Sequence, residues 1–185
     1  MEIVGDKSLL QQAISGVSSL CNEIIIVTVR DRAIPQLTSH RKLRTTTDIF
    51  PGKVPLAGIY TGLTISDSYY NLAIGCDMPF LNQALLRYII QLSADFDVVI
   101  PRTGNMVEPL HAVYSKGCLA PIEEMIKQNN LSLHKLLGMV KVRYVETEEI
   151  DKFDPEHLSF FNINTKADLE IAKELARGNC SDDKR

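Results

Sequence analysis

Residues 8–20 place Leu9, Leu10, Ala13, Ile14, Val17 and Leu20 on one side of a 3.6-residue repeat, which predicts an amphipathic helix with Gly16 as its weak position. After Cys21 and Asn22 the pattern changes, over residues 23–29, to Glu23 followed by a continuous β-branched run. A β-branched run without polar alternation predicts a strand buried on both faces, as in a parallel sheet. Residues 30–52 are polar, proline-containing and threonine-rich, and read mostly as loop, with a short helix near 33–38 and a short strand before Asp48.

The alternation of strand and helix then continues. Residues 58–66 carry a mild helical pattern, 70–74 a second buried strand, and 83–93 an amphipathic helix through Leu85, Leu86, Ile89, Ile90 and Leu92. A third apolar strand is predicted at 97–101, a turn at 102–105 and a returning strand at 110–114. Residues 119–128 suit a helix with Pro121 in its first turn, Ser132 a cap for another ending near Gly138, and 140–145 an alternating edge strand. A last helix, 166–177, follows Thr165 as N-cap and is expected to stop at Gly178, leaving 179–185 as a disordered tail. The expected organisation is one domain over 1–178, of the α/β class.

Composition narrows the function. The formal net charge of −3 over 185 residues provides no basic field for nucleic acid or an acidic membrane. No stretch is apolar for the roughly 20 residues of a membrane span, and no signal-like segment opens the chain. Cys21, Cys76, Cys118 and Cys180 form no C-x-x-C pair, so neither a zinc cluster nor a disulfide framework is expected, and a reducing cytoplasm fits best.

Candidate chemistry centres on Asp77. The strand at 70–74 runs into Gly75-Cys76-Asp77-Met78-Pro79, so a lone carboxylate stands at a strand's carboxyl end, where open α/β sheets bind ligands. Two readings are open from these residues alone: Asp77 is a ligand for a divalent metal, or it satisfies backbone amides at a strand-to-turn junction.

Four segments in order then resemble the molybdenum cofactor guanylyltransferases, within the wider sugar-nucleotidyltransferase-like group. They are Pro55-Leu56-Ala57-Gly58-Ile59 with Gly62-Leu63, Cys76-Asp77-Met78-Pro79, Glu108-Pro109-Leu110-His111-Ala112-Val113-Tyr114, and Asn162-Ile163-Asn164-Thr165 with Ala167-Asp168-Leu169. The resemblance implies a three-layer α/β/α, Rossmann-like nucleotidyltransferase (nucleotide-diphospho-sugar transferase) fold with a mostly parallel sheet. It implies transfer of GMP from GTP to molybdenum-molybdopterin with release of pyrophosphate, in the cytoplasm, with molybdoenzymes or other cofactor-biosynthesis proteins as partners. Such phosphoryl transfer asks the protein to position groups and neutralise charge rather than to supply a covalent nucleophile.

Carried onto this chain, the resemblance makes Asp77 the catalytic Mg2+ ligand, joined by Asn164. It puts Asp48, Leu56, Ala57 and Gly58 with Asp77 around the nucleotide, and Glu108, His111 and Asn162 in the substrate pocket. Other readings of the same residues stand beside these. Asp48 also reads as a solvated loop carboxylate or helix cap, the Asn162/Asn164 pair as an asparagine ladder before the last helix, and His111 as a packed, hydrogen-bonded core residue.

Two features depart from the family pattern. Val54 precedes Pro55 where glycine is common, and the family's L-A-G-G-x-S-x-R-M-G-x-D-K phosphate loop has no match. Gly5-Asp6-Lys7 fits a later turn into the first helix, with Lys7 a surface residue. The expectation is therefore a sheet missing its first, central strand, with unpaired neighbours and an apolar gap. Residues upstream of Met1, a partner chain, or nothing would complete it. A CTP-dependent or other small-molecule nucleotidyltransferase, and a non-catalytic nucleotide- or cofactor-binding module, are the alternative functions.

Overall fold

The computed structural model describes residues 3–4, 7–30, 43–50, 52 and 55–182, and side chains up to residue 177. The helix expected near 33–38, the Gly5-Asp6 turn and Val54 lie outside the described residues. Nine strands and seven α-helices are described, in the order β1 (Ile3–Val4), β2 (Lys7–Ser8), α1 (Leu9–Val17), β3 (Ile24–Thr28), β4 (Leu43–Thr47), α2 (Leu56–Ile65), β5 (Tyr70–Ile74), α3 (Gln83–Gln91), β6 (Val98–Thr103), β7 (Met106–Val107), β8 (His111–Ser115), α4 (Leu119–Lys127), α5 (Leu133–Met139), β9 (Val142–Val145), α6 (Thr147–Ile150) and α7 (Lys166–Asp182), with short 3-10 turns at Lys116–Cys118 and Leu158–Phe160.

Local chemistry accounts for the helix starts. Ser8 and Gln11 form a reciprocal capping box on α1. Asn82 accepts from the amides of Ala84 and Leu85 at α3, and Ser132 from Lys135 at α5, as expected. Thr165 accepts from Asp168 N, and the Asp168 carboxylate accepts from Thr165 N in return. α7 does not stop at Gly178 but runs on to Asp182. A single glycine costs a helix only about 1 kcal/mol relative to alanine and ends it only where the chain turns left-handed.

β5 and β6 each pair antiparallel with β8 between them, and β9 runs parallel to β6. β5, β6 and β9 therefore point the same way, with their carboxyl ends on one edge. β3 and β4 form a separate parallel pair, and no ladder joins β3 to β5. The returning strand at 110–114 is thus a central member of a mixed sheet. The β1–β2 hairpin, β7 and α6 have no counterpart in the sequence reading.

Alternate strand residues face opposite layers. Val98, Ile100, Ala112 and Tyr114 pack with Leu56, Ile59 and Leu63 of α2 and Ile122, Met125 and Ile126 of α4. Val99, Val113 and Val145 pack with Leu85 and Ile89 of α3 and Ile150 of α6. This gives the three-layer α/β/α arrangement. A smaller cluster of Val4, Ile163 and Ala172 ties the hairpin to α7.

Candidate active site

The edge formed by the carboxyl ends of β5 and β6 gathers three segments through backbone hydrogen bonds. Gly75 N donates to Leu110 O at 2.9 Å, Ile163 N to Asp77 O at 3.0 Å, and Glu108 N to Pro101 O at 3.1 Å. The loop 75–79, the turn 108–111 and the strip 162–164 are therefore held as one unit.

Within it Asp77 takes an unusual seat. Its Oδ1 lies 2.5 Å from where a Cβ on Gly75 would stand, so the carboxylate folds back over a glycine that leaves room for it. Among the described residues no donor and no cation meets that carboxylate, in contrast to the amide-capping reading of Asp77.

Ile163 is buried and Asn162 and Asn164 flank it, so the two asparagines share the side away from the core. Asn162 Nδ2 donates to Phe160 O at 3.2 Å, and Asn164 is exposed, its amide N–H held by the Asp168 carboxylate. The bond from Ile163 to Asp77 brings this pair to the aspartate's loop.

Asp48 is buried rather than solvated. Its N–H donates to Thr28 O at the end of β3, and its Oδ1 accepts from Phe50 N and from Thr61 Oγ1, each at 3.0 Å. Thr61, in the middle of α2 and wholly buried, also accepts from Ile49 N. The sequence reading missed Thr61; its only signal is a hydroxyl on the apolar face of a helix. Leu56 and Ala57 are buried, Leu56 in the larger core cluster, whereas a Cβ on Gly58 would meet nothing within 4 Å. Gly58 is thus the member of that trio with open space beside it.

Glu108 is half-buried, and burial pushes its carboxyl above the usual range. His111 is fully buried, opposite Ile74 in the ladder and edge-on to the Phe160 ring with centroids 5.0 Å apart. Among the described residues neither ring nitrogen has a hydrogen-bond partner, so there the packed reading holds and the hydrogen-bonded one does not. Desolvation holds its pKa down at about 4, against partial opposition from Asp154. One further pair at this edge went unread: Arg102, just past the buried part of β6, donates through Nε to Glu146 at 3.1 Å and lies 4.2 Å over the Tyr144 ring.

The MobA-like NTP transferase domain matches residues 1–144. The chain belongs to that family. A relative from Desulfosudis oleivorans, a molybdenum cofactor guanylyltransferase, is 33% identical over 168 residues, covering 90% of this chain and 81% of its own length. A relative from Pelotomaculum thermopropionicum is 37% identical over 134 residues, and there the chain covers 65% of the relative. Among solved structures, the molybdopterin-guanine dinucleotide biosynthesis protein A of Archaeoglobus fulgidus superposes with a TM-score of 0.79 at 28% identity, covering 96% of this chain and 90% of that one. The MobA-like family is one of nucleotidyltransferases, and the three-layer fold of this chain is the one it shares with that neighbour. None of the helices among the described residues is long and apolar enough to cross a membrane.

Proposed function

We propose that this MobA-like protein is a molybdenum cofactor guanylyltransferase, transferring GMP from GTP to molybdenum-molybdopterin and releasing pyrophosphate. The observation that carries the reading is the Asp77 carboxylate, seated over Gly75 at the strand edge with no donor or cation on it among the described residues. The name of the Desulfosudis relative supplies the reaction class, and that of the Archaeoglobus protein the dinucleotide it serves to make.

The donor set fits Mg2+. Among the described residues no group of three or more His, Cys, Asp or Glu could hold a metal, so none of them forms a cage. Magnesium binds in that way, through one or two protein oxygens while substrate phosphates and water supply the rest. Asp77 and the Asn164 amide oxygen would hold it, and the ion would neutralise charge on the nucleotide phosphates.

The chain's own residues have separate tasks. Asp48, fixed by Thr61 and the Phe50 amide, anchors the loop that leads to α2, and Gly58 leaves a surface that a planar base can approach closely. Asn162 orients beside the transferred phosphate, and Glu108 shapes the pocket for the acceptor. Asp77 contributes charge at the reacting phosphates, where positioning and electrostatics supply most of the rate.

The test is product analysis by mass spectrometry with molybdenum-molybdopterin and either GTP or CTP. Guanine dinucleotide product that needs Mg2+ and disappears with Asp77→Ala is the expected result. Turnover with CTP alone removes the guanylyl reading, and binding of Mg-GTP without product from either nucleotide favours a binding module.

A further inference from the structure

Arg102 and Glu146 stand side by side at the carboxyl edge of the mixed sheet. β6 and β9 run parallel with Ile100 opposite Tyr144 and Pro101 opposite Val145, so Arg102 and Glu146 follow on one face, the face of Tyr144. Arg102 donates through Nε and Nη2 to the two carboxylate oxygens of Glu146, and its guanidinium lies 4.2 Å over the Tyr144 ring. Glu146 is fixed in turn, its N–H donating to Glu149 Oε2. The two side chains stay 38% and 40% exposed, so the pair is oriented and still open to a ligand. Of the five N–H donors of a guanidinium, Glu146 engages two.

The pair shares a face with the seat of Asp77. Tyr144 packs on the cluster under α2 and α4, as do Ala73, Leu110 and Val107. Gly75 lies two residues beyond Ala73, so its Cβ direction, which the Asp77 carboxylate covers, is on that side too. The same Cβ position is 3.6 Å from Leu110 Cβ, and Val107 is opposite Arg102 in the β6–β7 ladder. Leu110 and Val107, both only partly buried, therefore lie between the carboxylate and the arginine. β8 stands between β5 and β6, which sets those strands about 10 Å apart. A ligand with a phosphate at one end and fused rings at the other spans such a floor.

Charge decides what the far end reads. An unpaired arginine would suit a second anionic group, but Glu146 offsets the charge, and the pair presents donors and acceptors side by side next to an aromatic ring. Its complement is a neutral planar edge on which a carbonyl oxygen adjoins N–H groups. We propose that Arg102 and Glu146 recognise the 2-amino-4-oxopyrimidine edge of the acceptor's pterin. Arg102 donates to the ring carbonyl, and Glu146 accepts from the amino group and the neighbouring ring N–H, which leaves the acceptor's phosphate directed toward Asp77. This assignment rests on the guanylyltransferase reading above. The guanine of GTP carries the same edge, but that reading puts the base beside Asp48 and Gly58, and Asp48 ends β4, which pairs with β3 and not with β6.

The experiment is anaerobic titration calorimetry of the 185-residue chain with metal-free molybdopterin, in the absence of nucleotide and turnover. 6-Hydroxymethylpterin and 6-hydroxymethyllumazine, which has a carbonyl in place of the 2-amino group, serve as paired probes. The unchanged chain should prefer the pterin by about tenfold or more, the effect of one lost hydrogen bond to a charged group. Glu146→Gln should weaken molybdopterin by about tenfold and abolish that preference. Arg102→Lys keeps the charge but not the fork, and should weaken both probes alike. The Kd of Mg-GTP should not change, and thermal midpoints close to that of the unchanged chain separate lost recognition from lost folding. An unaltered pterin preference in Glu146→Gln overturns the proposal. So does weakening of Mg-GTP in place of molybdopterin, which would give this edge to the guanine base. If the unchanged chain binds no molybdopterin, the proposal falls together with the acceptor it rests on. If it binds and both variants match it, this inference alone falls.

Discussion

The Asp77 carboxylate occupies the space that a side chain on Gly75 would fill, with Oδ1 2.5 Å from the Cβ position. A methyl group there forces the carboxylate or the loop to move. Gly75→Ala should therefore lower kcat with Mg-GTP by about 100-fold, the effect of misplacing a reacting group by about 1 Å. The thermal midpoint distinguishes this from general unfolding: a fall in kcat at nearly constant midpoint supports the seat, and an unchanged kcat removes it.

Asp77→Asn keeps the shape and removes the charge. Because nothing in the described fold donates to the carboxylate, stability should change by no more than about 0.5 kcal/mol, as at a surface site. Turnover should fall by about 100-fold or more, with the Mg2+ dependence weakened. Urea unfolding and initial rates on the same preparation check both halves. A large loss of stability would return Asp77 to the role of a loop cap.

Asp48 should behave in the opposite way. Its Oδ1 accepts from Phe50 N and Thr61 Oγ1 in a buried setting, so Asp48→Ala leaves both donors stranded at about 1–3 kcal/mol. Thr61→Val removes the same bond, together with the acceptor for Ile49 N. The double variant should cost less than the sum of the two, with a coupling of about 1 kcal/mol or more by equilibrium unfolding. Strict additivity would mean that the pair does not act together.

The contrast between these two aspartates shows what the sequence could reveal. Helix positions were legible because their signals are local: Ser132 and Thr165 sit a few residues from the amides they cap. The resemblance assigned Asp77 and Asp48 to one site from short motifs in order, an assignment that the variants above test. Burial was not legible. The run at 24–27 reads as a two-face core strand, and only the ladder shows that one edge is open. His111 looked like a hydrogen-bonded core residue, but what folds beside it is the Phe160 ring, which has no hydrogen-bonding group, and the charge of Asp154, both about 45 residues away in sequence and brought there by contacts that no local pattern encodes. Gly178 read as a stop because glycine commonly ends helices, yet nothing in the sequence marks whether the chain turns there.

That unpartnered histidine makes stability depend on pH. His111 has its pKa lowered from 6.5 to about 4 by burial, so the folded state keeps it neutral where the unfolded chain takes up a proton. A folded value below the unfolded one means that the contribution is complete above about pH 6.5 and is lost as pH falls toward about 4, reaching about 3 kcal/mol. His111→Leu removes the titrating group and the two unsatisfied ring nitrogens while filling similar space against Phe160. Urea unfolding at a series of pH values should show the native protein losing stability between those limits and the variant losing less, with the difference between them growing as pH falls. Parallel pH profiles for the two proteins would show that His111 finds a proton acceptor in solution and is not held neutral by the fold.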